Sequence, residues 1–575
     1  IYGDVHANII FLKHFTLHSQ LGLIYTDGYH RTIQFTFQEA GGKFNPISSV
    51  DQWYWRETTL DLTNTLTYKL NTGKHDLSVL AGTETNKYVT ENMDASRQTI
   101  AFQNYDYAYL SQGTGNMAMS GGGDKYNLLS YFGKFNYAYN SRYLLSGSLR
   151  YDGSSKFGSN NRFALFPAIS AGWRLSQEEF LAGNNVISDL KLRGSWGRNG
   201  SLAQINSLNS QTFFAPNYNY TSYSISGAET GNLPSGFNRV QTGNPDLRWE
   251  ATSQTNIGLD FGFLNQKLSG ALDFYRKYTN GMLLLPPYPG AIGEGGYQYI
   301  NAADMTNKGV ELSLTYNGNS GKDFGYHLTG NIAYNKNVVN DLPKSVTYSW
   351  GGSALKGDGI ASHPWGAVYG FIADGIYQNQ SDVDNSPAQP GKGIGRIRYK
   401  DLSGPNGKPD GNIDYDYDRT WISNGSMTPK FEYGISVALN YKNFDFSMFW
   451  QGVAGVQVYD QWKSYSDFWN VWVQNGFNHP TRVLDAWTPT NTKSTIPALS
   501  LNNVNDELRT STYFVEPGQY LKLRNIQIGY NLPKSVISRV GMEKFYVFVM
   551  AQNLIMIKSS KFTGPDPENT DGESY

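Results

Sequence analysis

Between Phe431 and Tyr441 every second residue is apolar: Phe431, Tyr433, Ile435, Val437, Leu439 and Tyr441, with Glu432, Gly434, Ser436, Ala438 and Asn440 between them. Side chains alternate across a strand, so this stretch has one apolar face, closed by aromatics at both ends, and one polar or small face. After only Lys442 and Asn443 the pattern resumes as Phe444, Phe446, Met448 and Trp450, which predicts a tight hairpin. The same alternation recurs at 143–151, 165–175, 257–261, 310–316, 324–334 and 545–551. Pro167 inside the second of these predicts a bulge or frayed end. Between Leu521 and Leu532 the phase slips by one residue, and a β-bulge near Arg524 would absorb it. By this criterion the chain holds roughly sixteen strands of about ten residues, the length a tilted membrane strand needs.

Mean hydropathy is −0.47, which would ordinarily indicate a soluble protein. Barrel strands alternate lipid-facing and lumen-facing residues, so each averages to near neutrality, and the alternation outweighs the mean. Aromatic content is 15% against 17% charged, the reverse of the bias of a disordered chain. The net charge of −1 points to no nucleic-acid partner, and the absence of Cys excludes thiolate metal sites and a disulfide scaffold. The 575 residues are read as one transmembrane antiparallel β-barrel domain, 1–575, since a barrel grows with strand number without dividing.

Connections alternate in length. Asn140 to Arg142, Leu264 to Lys267 and Asn317 to Asp323 are short, whereas Asn86 to Tyr126, Asn199 to Glu250 and Asn280 to Asn307 are long and polar. Outer-membrane barrels keep short turns in the periplasm and long loops outside, which predicts the orientation and a multi-pass place in the outer membrane of a Gram-negative cell, in contact with its lipid. A soluble sandwich or propeller has no reason to segregate its loops in this way.

Several segments, in order, resemble the SusC/RagA-like TonB-dependent outer-membrane transporters of Bacteroidota. They are YLLSGSLRYDGSSKFG from Tyr143, LKLRGSWG from Leu190, NPDLRWE from Asn244, NKGVE from Asn307, WTP from Trp487, YLKLRNI from Tyr520, GYNLP from Gly529 and QNL from Gln552. The resemblance implies a barrel of about 22 strands in the full protein, closed by a plug. It further implies import of oligosaccharides or peptides, with a SusD-like surface lipoprotein as partner and TonB acting through the plug region. The sequence opens at Ile1 without an export signal, shows no plug, and ends in a polar run, so it reads as a fragment lacking the plug and the closing strand. A SusC-like barrel recruited as a structural component of a larger outer-membrane assembly is the alternative; a surface adhesin or barrel enzyme is a further one.

No enzymatic motif is present: the eight His lack metal-ligand spacing, there is no Gly-x-Ser-x-Gly elbow, and Gly391 to Arg396 lacks the spacing of a phosphate loop. Aromatic-rich segments predicted as loops supply candidate substrate-binding residues, Trp53, Trp55, Tyr107, Tyr220, Trp469 and Trp472, because flat aromatic faces stack on sugars or peptide side chains. Packing between loops, or a place in the interfacial girdle, is the competing reading. Asp401, Asp410, Asp414 and Asp418 are candidate ligands for a hard cation such as calcium, the one cofactor considered. The insertion 404–409 breaks the EF-hand spacing, so a solvated acidic turn held by Asx hydrogen bonds is favoured.

Overall fold

The computed structural model describes every residue except 40–43, 182, 204, 217–235, 287–295, 345, 424–427, 469–478, 501–505 and 569–575. The described chain is almost entirely β. One sheet contains the strands β1 (Tyr2–Phe11), β2 (Phe15–Gln34), β3 (Ser49–Thr72), β4 (His75–Gln98), β5 (Met117–Tyr139), β6 (Tyr143–Ser154), β7 (Phe163–Arg174) and β8 (Ile187–Ser201). It continues with β9 (Glu250–Phe263), β10 (Leu268–Leu284), β11 (Ile300–Ser320), β12 (Phe324–Asp341), β13 (Phe431–Tyr441), β14 (Phe444–Ala454), β15 (Tyr520–Asn531) and β16 (Tyr546–Lys558). Each strand is hydrogen-bonded to its neighbours in sequence, the order that the alternating pattern and tight turns predict. No described helix is long and apolar enough to cross a membrane.

Contacts divide the chain into two compact units, 1–171 with 196–253 and 279–303, and 172–195 with 254–278 and 304–575; the boundaries run through β7 to β11. Within the first unit, β1 to β6 form an antiparallel meander whose register lines up Leu17, Leu66, Ala81, Gly133 and Leu149 across five strands. Within the second, the register of β11 to β15 lines up Leu314, Gly330, Ile435, Trp450 and Leu523 on one face. Ser313, Asn331, Gly434, Gln451 and Lys522 line up on the other. The apolar face is the uncovered one. Leu66, Leu149, Ile332 and Ile435 are all exposed, as a surface meant for lipid must be.

Arg524 is the extra residue of a bulge: Leu523 pairs with Trp450 and Asn525 with Phe449, leaving Arg524 unpaired between them. A one-residue slip would turn every later side chain to the opposite face, so the bulge is what keeps Leu521, Leu523, Ile526 and Ile528 on one side. Pro167 lies inside β7, which runs unbroken from Phe163 to Arg174.

Strand length departs from expectation. β3 and β4 are 24 residues each, so Asn86 to Gln98 and Met117 to Tyr126, predicted as parts of one long loop, are strand. Trp53 and Trp55 likewise lie in β3 rather than in a loop. From Thr59 back to Ser49 polar residues are mixed with aromatics on both faces, and hydropathy alternation cannot report a strand that has no consistently apolar face. The connections still segregate. Turns 12–14, 73–74, 140–142, 264–267, 321–323 and 442–443, with the longer 175–186 and 532–545, link strands at one end, while 35–48, 99–116, 155–162, 202–249, 285–299, 342–430 and 455–519 link them at the other. The tight turns use left-handed backbone at ordinary residues, as at Asn140, Ser141 and Lys442.

The long connections carry their own packing. In the second unit, Tyr369–Phe371 pairs with Arg419–Trp421, Ala373–Ile376 with Ile397–Tyr399, and Gln457–Tyr459 with Val515–Pro517. Phe371, Ile397, Tyr399, Ile413, Phe468 and Phe514 form a buried cluster there. The buried Arg509 guanidinium lies 5.0 Å from the Phe371 ring and 4.7 Å from the Tyr399 ring. In the first unit, Phe157, Ile205, Leu247 and Leu283 pack with Trp249.

Candidate substrate-binding surfaces

Alternation assigns the faces of the first unit. In β3 the exposed Leu60, Leu62 and Leu66 occupy even positions, so Trp53, Trp55 and Glu57 stand on the opposite, inner face. The Trp53 and Trp55 rings are 6.0 Å apart. Trp55 lies against its register partner Gly28, where an added Cβ would come within 2.4 Å of the indole nitrogen, so glycine is what lets the ring lie flat on the strand. Along the same face the Tyr88 hydroxyl donates to Glu57 at 3.0 Å, and Tyr88 stacks on Tyr126 at 4.8 Å between centroids. The Lys156 ammonium sits 4.3 Å from the Tyr126 ring and donates to the Ile205 carbonyl at 2.8 Å. Further along, Arg150 pairs with Glu84 and Asp152, each at 3.1 Å. Rings that offer flat faces are thereby held beside fixed charges, a combination able to stack on a neutral ligand and orient its polar groups.

Tyr88 and Tyr126 are part of this surface, yet their sequence neighbourhood reads as loop. The usable signal is the period-2 placement of Glu84, Tyr88 and of Tyr126, Ser130 on the face opposite the exposed apolar residues, which only the register reveals.

Tyr107 is in a turn, as expected, and 65% exposed. Its neighbours Tyr105 and Tyr109, also exposed, sandwich the Arg31 guanidinium at 4.8 and 4.4 Å. Tyr220, Trp469 and Trp472 lie outside the described residues. Phe468, beside them in sequence, belongs to the buried loop cluster.

The acidic segment closes on itself. Asp418, fully buried, accepts backbone N–H groups from Leu402 at 2.6 Å, Ser403 at 3.3 Å and Asp414 at 2.8 Å. Burial pushes its carboxyl upward and those three donors pull it back. Asp401 accepts from the Gly411 N–H, Asp410 from Asn412, and Asp414 from Asp416 and Tyr417. Those of Asp410 and Asp414 are Asx-type turn contacts, and that of Asp401 closes the segment across ten residues. Among the described residues no group of three or more His, Asp or Glu is placed to hold a metal ion.

In the second unit, Arg193 donates to Asp260 at 2.9 Å and Asp273 at 2.6 Å, with Lys191 3.3 Å from Asp260, a charge network joining β8, β9 and β10 on the polar face.

The model of the family described as TonB dependent receptor-like, beta-barrel, matches residues 6–393, more than half of the chain. This chain belongs to that family. It is 28% identical over 571 residues to TonB-dependent receptor P3 of Formosa agariphila, covering 95% of this chain and 53% of the relative. It is also 28% identical to TonB-dependent receptor SusC of Bacteroides thetaiotaomicron, covering 99% of this chain and 53% of that protein. Among solved structures, that of the RagAB peptide transporter superposes with a TM-score of 0.81 at 27% identity, covering 98% of this chain and 58% of that one. The resemblance to SusC and RagA carried by the sequence motifs is therefore borne out. The chain spans about half the length of the curated relatives it matches.

Proposed function

We propose that the protein containing this barrel imports oligosaccharides or peptides across the outer membrane, as a TonB-dependent transporter working with a SusD-like surface lipoprotein. The observation that carries the reading is the run of inner-face aromatics from Trp53 and Trp55 to Tyr88 and Tyr126, on the side away from the exposed apolar surface, in a chain of this family. A bulky ligand crossing such a wall gains broad stacking contacts without a deep pocket, which suits capture followed by release. The likeness to the RagAB peptide transporter favours peptides among the two substrate classes.

The test is uptake by cells carrying the full-length gene. Trp53→Ala with Trp55→Ala should lower uptake of the cognate nutrient about ten-fold at unchanged surface abundance, since each lost stacking contact is worth about 0.5 to 1.5 kcal/mol. The same measurement on Trp469→Ala with Trp472→Ala tests two of the remaining candidates. Unchanged uptake at normal abundance removes the altered pair from the site, and failure of the purified transporter to co-purify any surface lipoprotein counts against the lidded arrangement.

A further inference from the structure

The outer face of the first unit is not a uniform apolar wall. Small residues at two adjacent positions of one register row, Ala81 on β4 and Gly133 on β5, leave a trough of about 620 Å³ framed by Leu66, Leu149 and the Tyr131 and Tyr151 rings. Asn64, on the same face, borders the trough; its carbonyl oxygen accepts from Ser19 at 2.7 Å, and its amide donor has no partner among the described residues.

Two cations stand directly above. On β4, Lys87 follows Val79, Ala81 and Thr83 on the outer face and is level with Leu60; on β5, Lys125 is one row higher, opposite Val89. Neither ammonium has a partner among the described residues. Arg56, near them, is already engaged by Glu91 at 2.5 Å, and a second hollow of about 240 Å³ lies between Arg56, Leu60, Lys87, Val89 and Glu91. From the aromatic ring of Tyr68 at the turn end to Leu60 is about 27 Å along the strand, or about 20 Å along the membrane normal at a barrel's usual tilt. Lys87 thus reaches the edge of the apolar band, and its long stem carries the charge outward to headgroup level. The trough begins about 10 Å below it, inside the apolar band and within reach of an acyl chain whose headgroup is held at that edge.

We propose that this face binds one phosphorylated glycolipid of the outer leaflet, with a phosphate on Lys87 and Lys125 and the deeper part of an acyl chain in the trough. Charge complementarity selects the occupant: a neutral lipid would leave both ammonium groups unmatched, and a soluble anion would leave the apolar trough empty. The inference rests on the reading that this apolar face lies in an outer membrane with the long connections outside.

The experiment uses the full-length transporter purified in detergent, incubated with phosphorylated lipid A or its dephosphorylated form, and measures lipid retained per protein by native mass spectrometry. Wild type should retain the phosphorylated form. Lys87→Gln with Lys125→Gln should lower retention about twenty-fold, from the usual contribution of a basic residue near an anionic membrane surface. Gly133→Leu, whose Cβ meets nothing closer than the Leu80 carbonyl at 3.7 Å, should fill the trough and weaken retention with both cations intact. Heat-modifiable electrophoretic mobility verifies that each variant is folded. Equal retention by the double variant, equal retention of dephosphorylated lipid, or displacement by millimolar inorganic phosphate would each overturn the proposal. Lys134→Gln, on the inner face of β5, separates the two levels of argument. If it abolishes retention while the outer-face variants do not, the assignment of faces, and with it the barrel reading, is what fails.

Discussion

At the residue scale, one peptide bond at Ile435 and Ser436 separates two chemical environments. Ile435 is 50% exposed and lies between the aromatic ends Phe431 and Tyr441, whereas Ser436 shares the opposite face with Thr315 and Thr329. Ile435→Arg should therefore destabilise the barrel by about 2 to 4 kcal/mol, the cost of a cation near the bilayer midplane, and Ser436→Arg should cost little. Urea unfolding in lipid vesicles checks this, and equal sensitivity at the two sites would mean that both faces are buried in protein. Both assignments are legible in the sequence, because alternation names the face. The role of Trp55 is not. Its aromatic character is evident, but its place flat against Gly28 depends on the β2–β3 register, which joins residues far apart in the chain.

At the level of elements, the turns and the bulge determine which side each strand presents. Deleting Arg524 should shift either 521–523 or 526–530 to the wrong face and prevent assembly, measurable as loss of the heat-modifiable band; normal assembly would show that the extra residue is dispensable. The segregated connections make a second prediction. A cysteine at Lys408, exposed within 342–430, should react with an impermeant reagent on intact cells, and one at Asn443, in the tight turn after β13, should not. The reverse result would invert the orientation. Asn301, which sequence polarity would suggest as an external labelling site, is unsuitable: it begins β11 and its amide ties Arg248 to Gly281. Strand existence and most tight turns were readable in advance, whereas strand ends were not, since a ladder hydrogen bond is blind to side-chain hydropathy and continues past the apolar band.

For the whole molecule, the sheet and the packed long connections are held by different physics. The sheet relies on ladder hydrogen bonds and an apolar exterior. The layer around Phe371, Tyr399 and Phe514 relies on an aqueous-type core and buried ion pairs, among them Arg482 with the fully buried Asp467 at 3.1 Å, which also accepts the Tyr513 hydroxyl at 2.6 Å. Arg482→Ala would strand the Asp467 charge and should cost about 3 to 5 kcal/mol, loosening this layer. Limited proteolysis should then cut within 455–519 while the strands stay protected; an unchanged digestion pattern would show that the pair is dispensable. The all-β class, the two faces, the bulge and the family resemblance are written along the chain, because period-2 chemistry and ordered motifs are local properties. The length of the strands beyond the apolar band, the inner-face ladder of Trp53, Trp55, Tyr88 and Tyr126, the burial of Phe468, and the self-closed acidic segment emerge only in the folded chain. Each of these depends on which distant residue lies opposite in the register or packs across a loop, and no pattern along one strand encodes that.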